Sequence, residues 1–360
     1  MPTTTSARAP RTPRTTSGNP FLELLASVQK EVETRLATLL ESTLATARPL
    51  GPDVRAMVAA LADLCRRGGK RLRPALVAAG VRAASRRAAL EPALGAGVAL
   101  ELLQAYFLIH DDWMDGDSVR RGGPTVHRLL AERFGDASKG DASAILAGDY
   151  SVALALDVLA RLDVPPRALG PVMQTFARMQ LDAVLGQQLD LAANTANVET
   201  VYALKTGSYT VKGPLELGAR LAGARPETLL ALDRFARPLG IAFQLRDDLL
   251  GAFGEPERTG KPLGSDLTAG KRTVLLVEAL RRARGESRRA VLTVLGNRRA
   301  KERDVRRALA VLEECGARAR VEARIETLAG EARRALARSI TREGARLLEG
   351  AVDALTARQT

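Results

Sequence analysis

Two groups of aspartates stand far apart in the chain, and each contains an adjacent pair. The first is Asp111, Asp112 and Asp115 in LIHDDWMDGD; the second is Asp247 and Asp248 in FQLRDDLLG. Both lie in apolar, helix-favouring sequence, where an ionised carboxylate is costly without a cation. On a helix Asp111 and Asp115 fall one turn apart on one face. Extending that stripe backward passes Leu108 and Gln104 at helical spacings. A polar Gln in such an apolar helix predicts that this face lines a cavity. Magnesium suits the pair, because it takes a few carboxylates and completes its shell with water and phosphate oxygens. Two such clusters facing each other predict a multi-magnesium site that holds a diphosphate.

Two rivals compete for the first cluster. A calcium loop starting at Asp111 would have its sixth-position glycine at Gly116. It fails because Trp113 and Gly122 occupy ligand positions. The other rival is a helix end with solvated acids, although acids there oppose the helix dipole. Cations lie nearby in sequence. SVRRGGPTVH carries Arg120 and Arg121, which can fork onto one diphosphate or reach two anions. RRGGKRLRP carries Lys70, Arg71 and Arg73 where a helix is expected to begin, a natural anion site. Taken singly, each of these also reads as a solvated basic loop.

The elements that must position these groups are helices. The chain has 360 residues, 46% hydrophobic and 3% aromatic, with Ala, Leu and Arg prominent, which favours an all-α protein with a sizeable core. Helices are predicted at about 21–46, 52–65, 71–89, 92–115, 125–135, 140–162, 166–193, 198–222, 226–251, 271–297, 301–315, 317–337 and 340–357. Strand signals are absent. Segments 94–109, 144–160 and 241–250 are apolar on most sides and belong inside a bundle. Residues 1–19, rich in Thr, Pro and Arg, read as a disordered tail, leaving 20–360 as one helical catalytic domain. Loops 116–124 and 251–270 each follow an aspartate cluster and can close over a site.

No run of about twenty residues is free of charge, so no transmembrane segment is expected. Cys65 and Cys315 have no partner motif and read as thiols of a reducing, cytoplasmic compartment. The net charge of +13 is spread as Arg among Glu through 281–345, which reads as solvated helix faces. No nucleic-acid motif accompanies it, so no nucleic-acid partner is expected.

In order, the chain presents Gly-Gly-Lys-Arg-x-Arg-Pro, Asp-Asp-x-x-Asp, Arg-Arg-Gly, Lys205-Thr206, Asp247-Asp248 and TGKPLGSDLTAGKRT. This set resembles the trans-isoprenyl diphosphate synthases, the polyprenyl synthetase family, over about 20–350. The resemblance implies a single all-α bundle around a deep central cavity, usually a homodimer. It implies head-to-tail condensation of isopentenyl diphosphate with an allylic diphosphate, assisted by Mg2+, three ions per site with diphosphate bound. Asp111, Asp115 and Asp247 would be the principal ligands, with Asp112 and Asp248 supporting them. Gln187 and Asp190, in GQQLDL, would sit beside the allylic diphosphate, Asp190 on the metal side. Arg120, Lys205 and Lys261 would hold that diphosphate, and Lys271 would add a substrate contact. Lys70, Arg73, Gln104 and Arg121 would hold isopentenyl diphosphate. Lys205, Thr206 and Gln244 would form the catalytic set, the last two near the forming cation. His110 and His127 read as packing residues.

Relatives commonly carry a third acid in the second cluster, where this chain has Gly251; restoring it by Gly251→Asp is expected to alter turnover only modestly. Tyr106 and Phe107, just before Asp111, resemble the ring floor that limits chain length in farnesyl diphosphate synthases. Farnesyl diphosphate is therefore the expected product, with geranylgeranyl diphosphate as the alternative. A terpene cyclase would not need Lys70, Arg73 and Arg121 for a second diphosphate. A non-catalytic partner subunit typically lacks the first Asp motif, which this chain keeps.

Overall fold

The computed structural model describes residues 18–192, 197–254, 263–336 and 338–357. The first helices are α1 (Pro20–Ala47), α2 (Pro52–Arg66), α3 (Leu72–Ala84), α4 (Glu91–Met114), α5 (Val126–Phe134), α6 (Ala137–Ala160) and α7 (Pro166–Leu191). A short α8 (Val198–Val201) runs into a π-helical stretch, Tyr202–Lys212, and on into α9 (Gly213–Leu221). Then come α10 (Pro226–Phe253), α11 (Ser265–Thr268), α12 (Val274–Arg282) and α13 (Gly285–Val294). The last three are α14 (Glu302–Glu314), α15 (Ala317–Arg334) and α16 (Arg342–Thr356). The all-α bundle expected from composition is what forms.

Several local expectations need correction. A two-residue hairpin, β1 (Val119–Arg120) and β2 (Gly123–Pro124), occupies the basic loop where no strand was expected. The helix expected at 271–297 is two helices, because Ala283 and Arg284 are extended and Gly285 sits at φ +53°. Helix α3 stops at Ala84 because the Ser85 hydroxyl accepts the N–H groups of Arg87 and Ala88, drawing the chain into a turn. Asn19, read as the end of the tail, belongs to the fold. Its side chain accepts from Phe21 N at 2.9 Å and donates to Gly350 O at 3.0 Å, capping α1 and tying it to α16. The rest of the expected tail, 1–17, lies outside the described residues.

Helix α4 is the axis of the first half. It packs against α1, α2, α3, α5 and α6, and Leu100, Leu102, Leu103 and Ile109 are sealed from solvent. Each such side chain contributes about 1.5–3 kcal/mol. Helix α10 plays the same part in the second half, against the π stretch, α15 and α16. The halves meet where α3 packs on α9 and α7 packs on the π stretch. Between α4, α7 and the π stretch lies a cavity of about 290 Å³. Two helices, α4 and α6, are long and apolar enough by length and composition to cross a bilayer. In the structure 67% of the α4 window is buried in protein and 33% of the α6 window, and the two pack on each other.

Candidate active site

Asp111, in the last turn of α4, lines the cavity, and Asp115 caps that helix. The first carboxylate is partly buried, and its Oδ1 is ion-paired with Lys205 Nζ at 3.2 Å. Burial alone would raise the Asp111 carboxyl; the ammoniums of Lys205 and Lys271 and the Arg120 guanidinium outweigh it and hold it low. Asp115 has only weak compensation, so burial and the neighbouring Asp111 charge raise its carboxyl. Of the two, Asp115 is the acid left short of positive charge, in the way a divalent cation corrects. The Arg298 guanidinium, from the loop after α13, donates to Asp115 O at 2.7 Å and closes the end of α4.

The two inner aspartates of the pairs face protein. Asp112 is 1% exposed and accepts the Arg120 guanidinium through both Nε and Nη2. Asp248 is equally buried: Tyr202 Oη donates to Oδ2, and Gln244 Nε2 donates to Oδ1 at 2.9 Å. Tyr202 Oη in turn accepts from Val274 N at 2.9 Å. Buried carboxylates occupied in this way position their neighbours, whereas the sequence reading placed Asp112 and Asp248 with the metal set. Burial pushes the Asp248 carboxyl up to about 7. Asp247, the residue before it, is half-buried.

Lys205, Thr206 and Gln244 come together as the spacing could not show. The π stretch carries the first two, and such wide turns concentrate at functional sites. Lys205 Nζ donates to Asp190 Oδ2 at 2.6 Å while lying beside Asp111. Burial opposes its charge, but these two acids prevail and raise its pKa. Thr206 Oγ1 donates to Gln244 Oε1 at 2.7 Å. Two close backbone approaches permit this. A Cβ on Gly240 of α10 would fall 2.7 Å from Gly207 Cα, and one on Gly186 of α7 would fall 2.6 Å from Lys205 Cα. Only glycine lets these helices touch there.

Opposite the aspartates lies a cationic corner. Arg71 and Arg121, at φ +48° and +50°, are the non-glycine residues with left-handed backbone among those described. That conformation costs about 1–3 kcal/mol each and collects at functional sites. Arg71 is structural: it is buried against Glu101 and Cys65 O, with Glu33 at 3.3 Å. Arg121 lies against Gly69; burial, with Arg71 and Arg73 nearby, lowers its pKa although Glu101 opposes the shift. Arg73 stacks 4.4 Å over the Tyr209 ring and donates to Thr210 Oγ1, but its buried Nε has no partner. Gln104, 8% exposed, has a buried Oε1 with none. Lys70 stands exposed on the same loop. Arg67 clamps the hairpin beneath Arg121 by donating to Arg120 O at 3.1 Å and Pro124 O at 2.7 Å.

The cavity wall runs from polar to apolar. Asp111, Gln187, Lys205 and Thr206 line one part; Tyr106, Phe107, Met114 and Tyr209 line another. The Phe107 ring lies 5.0 Å from Tyr106 and 4.7 Å from Tyr209. Tyr106 also meets His110 edge-on at 4.6 Å, and His110 Nε2 lies 3.1 Å from Ile145 O, a packing role. Lys271 is half-buried, 3.9 Å from Asp266. Lys261 lies outside the described residues. Sequence reasoning missed Tyr209, Tyr202, Arg67 and Arg298. Tyr209 alone left a signal, an aromatic four residues after Lys205; the others act across 46 to 183 residues of chain.

The chain, an all-α bundle with Asp111 and Lys205 lining a partly apolar cavity, belongs to the polyprenyl synthetase family, whose profile matches residues 54–312. Among its relatives, farnesyl diphosphate synthase of Geobacillus stearothermophilus is 34% identical over 265 residues, 70% of this chain and 82% of that protein. A short chain isoprenyl diphosphate synthase of Methanocaldococcus jannaschii is 34% identical over 219 residues, 59% of this chain. That match spans 63% of the archaeal protein's length. Geranylgeranyl pyrophosphate synthase of Corynebacterium glutamicum, solved with isoprenyl diphosphate and magnesium, superimposes with a TM-score of 0.86 at 35% identity. The superposition covers 92% of this chain and 99% of that one.

Proposed function

We propose that the protein condenses isopentenyl diphosphate with dimethylallyl and then geranyl diphosphate, releasing farnesyl diphosphate. What supports this most is an acidic and a cationic group of side chains close to one cavity: Asp111 and Lys205 line it, and Arg73 stacks on Tyr209, which also lines it. The acidic group offers Asp111, whose Oδ1 faces the Lys205 ammonium at 3.2 Å, while the cationic group offers Arg73, whose buried Nε has no partner. Unpaired buried polar atoms are rare and call for a partner. Magnesium takes one or two carboxylates per ion and fills the rest of its shell from phosphate and water, so carboxylates that do not form a closed cage suffice. Asp111, Asp115 and Asp247 would hold it, three ions per site with diphosphate bound, and Asp190 would act through Lys205. Magnesium bound there supplies charge that stabilises the departing diphosphate.

The chain's own groups do the rest. Arg120, fixed by Asp112, and Lys205, fixed by Asp190, face the leaving oxygens as negative charge develops. Thr206 and Gln244 direct oxygen atoms toward the allylic carbon as it turns cationic. Arg73, Gln104, Arg121 and Lys70 hold isopentenyl diphosphate so that its double bond meets that carbon. Tyr106, Phe107 and Tyr209 exclude water and form the floor. Geranylgeranyl diphosphate is the second reading of the product, favoured by the Corynebacterium structure at TM-score 0.86.

We also infer a homodimer. Leu146 on α6 and Leu181 and Leu185 on α7 are 57–58% exposed, large apolar side chains that a second copy would cover. The free Cys65 and Cys315 suit a cytoplasmic setting. The two-site reading is tested by calorimetry with and without EDTA. Isopentenyl diphosphate binds without metal and loses affinity in Arg121→Ala, whereas an allylic thiolodiphosphate binds only with magnesium. Equal metal dependence for both ligands would contradict it.

A further inference from the structure

One loop of the second half reaches across to the end of the first aspartate cluster. It spans 295–301, between α13 and α14, and carries Arg298. At its base Val294 is sealed from solvent, and Gly296 N donates to Leu267 O at 3.0 Å. The same carbonyl accepts from Gly270 N at 3.0 Å. A Cβ on Gly270 would fall 3.3 Å from Gly296 Cα, so the loop lies against the backbone that leads into Lys271. At its tip the Arg298 guanidinium donates to Asp115 O at 2.7 Å and lies 3.6 Å from Asp117 Oδ1. Asp117 Oδ2 is 3.7 Å from Arg120 Nη2, and Asp117 N donates to Asp112 O at 2.9 Å. Arg298 thus joins the segment that carries Lys271 to the turn that carries Asp115 and, through Asp117, to Arg120. A cation on the last carbonyls of a helix also offsets the negative end of its dipole, where Asp111 and Asp115 add further negative charge.

We propose that Arg298 is a positioning residue that sets the spacing between the Lys271 segment and the first cluster, holding Asp115 where metal and diphosphate meet. By gripping the Asp115 backbone oxygen it does not compete with a metal ion for the carboxylate. This rests on the proposed magnesium–diphosphate site. The side chain is 55% exposed, and exposed ion pairs add little to stability, so Arg298→Ala should keep the thermal midpoint within about 2 °C. Its effect is on where the turn stands.

Trp113 provides a reading that needs no ligand. It is the single tryptophan of the chain, 39% exposed, two residues before Asp115, and its carbonyl accepts from Gly116 N at 3.2 Å. In the metal-free protein Arg298→Ala should raise the acrylamide quenching constant of Trp113 roughly 1.5- to 2-fold, as the released turn frays. Calorimetry with magnesium and inorganic diphosphate should show about 10-fold weaker binding, the usual effect of losing an outer partner at a metal site. Isopentenyl diphosphate binding in EDTA should stay within about threefold, since that corner does not touch Arg298. Arg298→Lys keeps a long cation and should recover most of both losses. Arg299→Ala removes the same charge from the same exposed loop and should change neither reading, which separates the contact from the general field of the loop. Unchanged Trp113 quenching in Arg298→Ala would overturn the inference, as would unchanged magnesium-dependent binding or an equal loss in Arg299→Ala. Absence of magnesium-dependent diphosphate binding from the unaltered protein would instead contradict the functional reading, and Trp113 quenching would still decide whether Arg298 holds the turn.

Discussion

Replacing Phe107 by Ala should lengthen the product by one isoprene unit. Phe107 lines the cavity and is held between Tyr106 at 5.0 Å and Tyr209 at 4.7 Å, so its ring cannot simply swing aside. A further isoprene unit adds five carbons, which at ~0.8 kcal/mol per buried CH2 gives about 4 kcal/mol when they find apolar room. That is a factor of about 10³ between releasing the fifteen-carbon product and elongating it again. With the ring in place the room is missing and the gain is not realised. The substitution should cost less than the ~3–5 kcal/mol of a fully buried Phe→Ala, because Phe107 is only partly buried. The assay is incubation with magnesium, labelled isopentenyl diphosphate and geranyl diphosphate, then chromatography of the dephosphorylated products. The twenty-carbon alcohol should become the main product. An unchanged fifteen-carbon product, or a twenty-carbon product from the unaltered enzyme, would refute the floor.

Asp111→Ala and Asp247→Ala should each lower kcat at least about 10²-fold with the helical circular dichroism intact, as expected when charge stabilisation of the leaving group is lost; near-normal turnover in either would remove that cluster from the site. Gly240→Ala must push the π stretch away from α10, since its Cβ would lie 2.7 Å from Gly207 Cα. It should cost about 1–3 kcal/mol of stability and a larger share of kcat than of KM, seen by thermal melts and steady-state kinetics. Burial lowers the His127 pKa below its ordinary value, with Arg128 adding to it, and its buried Nδ1 has no partner. The stability tied to neutral His127 is therefore complete above pH 6.5 and declines as pH falls through its folded pKa. His127→Gln should flatten that part of the Tm against pH curve, and an unaltered slope would exclude His127 as its source.

The helical core was legible because its signals are local. The apolar run before Asp111 makes α4, and Asn19 before Pro20 caps α1, although composition had assigned Asn19 to the tail. What stayed hidden was set by contacts distant in sequence. Asp112 and Asp111 are neighbours with the same side chain, yet one turns inward to Arg120 and the other toward Lys205. A helix separates adjacent side chains by about 100°, but which of them meets solvent depends on what packs beside it. The π stretch has no composition mark; it follows from how closely Gly186 and Gly240 let α7 and α10 approach.

The central claim is that two diphosphates meet at one cavity and are joined. It is tested most directly by incubating the purified protein with magnesium and dimethylallyl diphosphate, with and without isopentenyl diphosphate, and following inorganic diphosphate and prenyl products together. The account predicts one diphosphate released for each isopentenyl unit consumed, farnesyl diphosphate as the product, and no release without isopentenyl diphosphate. Release of diphosphate from the allylic substrate alone, with a hydrocarbon or alcohol product, would contradict it.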